Sequence, residues 1–229
     1  MANRMELAQA VATLQRFYGT DLTQTLAELE ASVRGANVNT CVQLVAAGGA
    51  NSNVLAAAGL MKQLAGQINV VVHALGILLC LPHLLEGDET IDYVSLGAGN
   101  TGRAFDLETN KRIAEFKFIR WQGGPESIRQ NSIFKDFYLM AEDSSTKDKY
   151  LYVLDTQHPL KFFNGRRALS SVLSRNVKLR DDFHARYGDQ HQTVRDYYAV
   201  RKGNVILQDV SSWVPGLTEV TLDAENSEV

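Results

Sequence analysis

Residues 103–119, RAFDLETNKRIAEFKFI, constrain the fold more than any other stretch, because two alternating runs flank a short polar turn. On a strand, successive side chains face opposite sides. In the first run Asp106 shares a face with Ala104 and Glu108, while Phe105 and Leu107 point the other way. In the second, Ile113, Glu115, Lys117 and Ile119 form one face, and Ala114, Phe116 and Phe118 form the other. A two-residue loop at Thr109-Asn110 predicts Asp106 opposite Ile113 and one diagonal step from Glu115. Two carboxylates and an ammonium then converge on one face of a hairpin.

Carboxylates crowded on a sheet repel one another and resist losing water. A hard divalent cation removes that conflict, since Mg²⁺ favours a few carboxylate oxygens together with water and phosphate. A neighbouring lysine then orients or deprotonates an attacking water, or neutralises charge growing on a phosphate. Asp106 followed by Glu115-Phe116-Lys117 resembles the PD-(D/E)XK nuclease superfamily, in which an acid on one strand precedes (D/E)-X-K on the next. The resemblance runs over roughly residues 68–155. It implies metal-dependent hydrolysis of a phosphodiester in DNA, with Mg²⁺, or Mn²⁺ in its place, held by Asp106, Glu115 and the Phe116 carbonyl, and with Lys117 activating water. Some subfamilies carry Q-x-x-x-Y on the following helix; Gln130 stands at that spacing, with Phe134 in place of the tyrosine. A further acid often comes from the preceding helix, and Glu86 is the nearest choice.

The rest of the chain supplies context. With 45% hydrophobic and 21% charged residues, its 229 residues suit one large domain or a compact domain with helical additions. A net charge of −3 excludes a surface that is basic throughout, but not a local basic groove. Cys41 and Cys80 are far apart and form no C-x-x-C pair, so zinc is not expected and a reduced, cytoplasmic setting is. Helices are predicted over 3–17 and from Asp21 to Gly35, the latter with Leu22, Leu26, Leu29 and Val33 along one face. Another starts at Asn51-Ser52 and stops at Gly66. The apolar run 68–82 falls short of the ~20 uninterrupted residues a membrane span needs; it predicts a helix buried against the sheet, with His73 as a core histidine outside the site.

Ile91–Leu96 predicts a strand that enters Gly97-Ala98-Gly99-Asn100-Thr101-Gly102, literally G-x-G-x-x-G. A dinucleotide fingerprint needs a crossover helix next, and too few residues remain before the hairpin. A loop delivering Asp106, with Asn100 or Arg103 touching substrate, is the simpler reading. Pro125-Glu126-Ser127 opens a helix and Lys149–Asp155 a strand. Between Thr156 and Arg180 there is no acid, whereas Lys161, Arg166, Arg167, Arg175, Lys178 and Arg180 are present. That stretch is a candidate phosphate-binding surface or an ordinary basic face; Phe162 and Phe163 are expected to pack rather than stack on bases. The segment 195–201 and then Val205-Ile206-Leu207 predict added strands or a partner surface.

The expectation is an α/β chain with a restriction-endonuclease-like αβββαβ core and a mixed central sheet. A helical extension (1–66) precedes the core (67–180), and a packed elaboration (181–229) follows it. Its partner is DNA, contacted by Arg103, Arg166, Arg167 and Arg175, with homo-oligomer or partner contacts through the N-terminal helices and no membrane. Two rivals stand: a non-catalytic interaction module on the same scaffold, and a dinucleotide-binding protein.

Overall fold

The computed structural model describes residues 7–19, 21–97, 104–119, 121 and 126–218. The chain divides into two compact units, Met1–Asn69 and Val70–Val229. In the first, α1 (Leu7–Tyr18), α2 (Leu22–Val33) and α3 (Val38–Ala47) precede α4 (Ser52–Leu84), which contributes to both units. Asp21 caps α2 by accepting from the Thr23 and Gln24 amides, and Asn37 caps α3 from Thr40. Ala10, Leu14 and Ala57 form a small buried cluster in this unit.

Gly66 does not end a helix. α4 runs through it for 33 residues, started by the Asn51 carboxamide on the Asn53 and Val54 amides and closing with Pro82 in its last turn. One mid-helix glycine costs about 1 kcal/mol relative to alanine, too little to break a helix anchored at its far end by packing. Among the described residues α4 is long and apolar enough to cross a membrane, by length and composition. Only one face of its second half is buried, through Gly76, Ile77, Cys80 and Leu84. Ile68, Val71, Leu75, Leu78 and Leu79 stay exposed, where burial on the sheet was expected for the whole run.

The second unit is built on a five-stranded mixed sheet. β1 (Ile91–Val94), β2 (Leu107–Thr109) and β3 (Arg112–Lys117) pair antiparallel; β3 then pairs parallel with β4 (Asp148–Val153), and β4 with β5 (Ile206–Asp209). Between β3 and β4 the chain crosses over through α5 (Ser127–Ala141). The order from α4 to β4 is thus helix, three strands, helix, strand.

Alternation along the strands separates two cores. Leu107, Ala114, Phe116, Phe118, Tyr152 and Leu154 meet Ile77, Cys80 and Leu84 of α4. Leu151 and Val153 face the other way, onto Phe134, Phe137 and Tyr138 of α5. The helices α6 (Gln157–Phe163), α7 (Leu169–Leu173), α8 (Val177–Tyr187) and α9 (Val194–Arg201) continue that second core, and Phe162 and Phe163 are buried there as expected. α9 corrects the strand expected over 195–201: Thr193 and Asp196 exchange side-chain-to-amide bonds in a capping box that starts a helix.

Candidate functional site

The β2–β3 turn sets the register, and it lies one residue later than the sequence pattern predicts. The ladder pairs Leu107 with Ala114 and Glu108 with Ile113, leaving Asn110-Lys111 as the loop. Thr109 causes the shift. Its buried hydroxyl accepts from the Lys111 and Arg112 amides and donates to Glu89 Oε1 at 2.6 Å, which pulls it out of the exposed turn. Glu89 in turn holds Arg112 through two bonds of 2.6 Å, and Arg112 donates to the Tyr152 hydroxyl at 3.1 Å. The new register differs from the expected one by two, so the paired strand residues keep their faces. Continued one residue beyond the ladder, that register brings position 106 level with Glu115 rather than Ile113.

Asp106 sits just beyond the N-terminal end of β2. Its carbonyl accepts from the Ser95 amide at 2.7 Å, and its Oδ2 accepts from the Phe116 amide at 3.0 Å. Its other oxygen, Oδ1, accepts from His73 Nε2 at 3.3 Å. His73 therefore belongs to the site, against the sequence expectation. Close packing of α4 on β3 brings it there: Gly76, one turn along, lies so near Phe118 that a Cβ would fall 2.6 Å from the ring, and the His73 ring meets Phe118 edge-on. The hydrogen bond to Asp106 raises the imidazole pKa above its ordinary 6.5, overcoming burial.

On β3, Lys117 Nζ lies 2.7 Å from Glu115 Oε1 and 2.7 Å from Oδ2 of Asp136, a buried acid on α5. Lys135 reaches the other Asp136 oxygen at 3.2 Å. Burial works against the ammonium, but Asp136 and Glu115 outweigh it and raise its pKa, so Lys117 stays charged. Glu115 behaves oppositely. Burial, with Asp136 and Asp106 nearby, pushes its carboxyl up to about 7 even beside Lys117. It is therefore a group poised between charged and neutral at physiological pH, the condition for proton exchange.

Do these residues suit a divalent cation? Among the described residues no three His, Cys, Asp or Glu side chains converge closely enough to hold one by themselves. Mg²⁺, however, keeps most of its waters and is commonly bound through one or two carboxylates plus a phosphate. Asp106 and Glu115, close enough for the charge of one to raise the pKa of the other, fit that donor set in kind.

The other expected residues fall as follows. Phe116 is buried, with its ring stacked between Phe118 and Tyr152 and its amide on Asp106. Gln130 carries a buried carboxamide oxygen without a hydrogen-bond partner among the described residues; α5 delivers Asp136, not Gln130, to Lys117. Glu86 is exposed and lies 3.7 Å from Arg112, at the opposite end of β3 from Lys117. Arg166 and Arg175 are exposed, while Arg167 is half-buried with its carbonyl taken by the Val194 amide. Arg103 and Asn100 lie outside the described residues. Because β1 and β2 are antiparallel, they do not form the parallel βαβ unit that a dinucleotide fingerprint needs. No signal in the sequence singled out Asp136, although it falls one helical turn after Ser132 and two after Ile128. Compared with known proteins, the chain matches no family model, no curated protein and no solved structure.

Proposed function

We propose that the chain is a divalent-metal-dependent nuclease that hydrolyses phosphodiester bonds in DNA, on a restriction-endonuclease-like core. The observation that carries this reading is that Asp106, held on the Phe116 amide, lies near Glu115 of β3 with the Lys117 ammonium on Glu115. The helix–three strands–helix–strand order around β3 supports it. Asp106 and Glu115 would hold the ion, which when bound supplies a water of lowered pKa and a positive charge at the phosphate. Lys117, which stays charged, stabilises negative charge growing on the phosphate oxygens and takes no proton from water. His73 fixes Asp106 from the α4 side. Arg166, Arg167 and Arg175 are proposed to grip the DNA backbone.

One observation favours a second reading, a non-catalytic interaction module. Lys117 is already neutralised by Glu115 and Asp136, and a closed cluster of this kind needs no substrate. Incubation of the protein with linear, circular and single-stranded DNA in Mg²⁺, Mn²⁺ or EDTA separates the two. The nuclease reading expects metal-dependent cleavage, abolished in Asp106→Ala. It also expects a fall of at least ~100-fold in Lys117→Met/Asp136→Asn, where no buried carboxylate is orphaned on α5. No cleavage with any metal refutes the nuclease and leaves the module.

A further inference from the structure

Beyond the C-terminal ends of the paired parallel strands β3 and β4 lies a pocket of about 160 Å³. Open α/β sheets bind ligands at that end of their strands. Trp121, Ile133, Val153 and Pro159 form its walls, and Ile128, 73% exposed, stands at its mouth. Its polar residues are Lys117, Arg129 and Ser132. Lys117 makes the pocket continuous with the acidic cluster, because the same side chain lines the pocket and bridges Glu115 to Asp136.

The size and lining narrow the occupant. An apolar cavity of about 150 Å³ stays dry and accepts benzene, so this pocket has room for one aromatic ring system but not for a stacked pair. Apolar walls favour the faces of a ring, and an anionic substituent on it would share Lys117 with Glu115 and Asp136 and Arg129 with Glu126.

Resting on the nuclease reading, we propose that this pocket receives one unpaired nucleobase of the substrate strand while the adjoining phosphate lies at Lys117. A base within a duplex is stacked on both faces and cannot enter a pocket of this volume without leaving the stack. The substrate class is therefore a single strand or a frayed end.

The test uses Trp213→Phe protein, in which Trp121 is the only tryptophan of the original two. Its emission is titrated with deoxyadenosine monophosphate, deoxyadenosine and inorganic phosphate, all in EDTA. A saturable change is expected with both base-bearing probes, tighter for the monophosphate, and none with phosphate. Ser132→Leu, which fills the pocket from α5, should weaken binding at least ~tenfold, the scale of a lost ring contact. Ile128→Ala, at an exposed position that does not threaten the fold, should weaken it about threefold. No saturable change with the base-bearing probes, an equal response to phosphate alone, or wild-type affinity in both pocket variants would overturn the proposal. So would equal cleavage of single-stranded and blunt duplex DNA. Base binding by a protein that cuts nothing refutes the nuclease reading and keeps the pocket; DNA cleavage without base binding does the reverse.

Discussion

Replacing Glu115 by glutamine should make the protein more stable at pH 8 and leave it nearly unchanged at pH 4. The carboxyl titrates at about 7 in the fold against an ordinary 4.5, because it is buried beside Asp136 and Asp106. Between those two values the folded state binds more protons than the unfolded one. Stability from this group is thus full below pH 4.5 and is lost as pH rises through 7. The gap corresponds to at most about 3–4 kcal/mol, since each tenfold step in proton affinity is worth about 1.4 kcal/mol. Glutamine keeps the shape and a hydrogen bond to Lys117 but never ionises. At pH 8 its unfolding temperature should exceed the wild type's by several degrees, at about 2–4 °C per kcal/mol for a domain of this size. Mg²⁺ should then raise the wild-type midpoint at pH 8, by satisfying the ionised pair, and leave Glu115→Gln unmoved. The measurement is thermal unfolding from pH 4 to pH 8, with Mg²⁺ and with EDTA. Parallel pH profiles for the two proteins would refute the argument about burial and crowding; an equal Mg²⁺ effect on both would refute Glu115 as a ligand.

Other consequences follow from the packing around the site. Arg112→Met strands the buried Glu89 carboxylate and should cost about 3–5 kcal/mol, seen as a fall of roughly 10 °C in unfolding temperature; Arg112→Met/Glu89→Leu should recover much of it, and no recovery would contradict the pairing. Gly76→Ala should gain about 1 kcal/mol of helix propensity yet lose about 1–3 kcal/mol to overpacking against Phe118. Its footprint should include weakened protection of the β3 amides in hydrogen exchange, and unchanged protection would show that the close approach is not tight. The His73 imidazole should titrate above 6.5 by NMR, giving stability that is full below that value and lost as pH rises through the folded pKa. Asp106→Asn should bring the midpoint down, and an unmoved midpoint would remove the Asp106 hydrogen bond as its cause.

Part of the arrangement was legible along the chain because strand alternation is local. The period of two put Glu115 with Lys117, and Phe116 with Phe118, on opposite faces before any partner was known. A turn misplaced by one residue survived, since the resulting register error was even and preserved those faces. The α5 helix and the β4 strand were legible from local signals too, a run of helix formers after Glu126 and a run of β-formers over 149–153.

What the sequence by itself determined is therefore which side chains share a face of one element. Which faces meet was decided only by the tertiary structure. Thr109, Glu89 and Arg112 are joined across 20 or more positions and reset the turn. His73 enters the site because a residue without a side chain at 76 lets α4 approach Phe118. Asp136 reaches Lys117 from another layer and decides that the lysine stays charged. Each of these is a contact between elements distant in the chain, and a periodicity reports only the chain's own repeat, not the partner that a face will find.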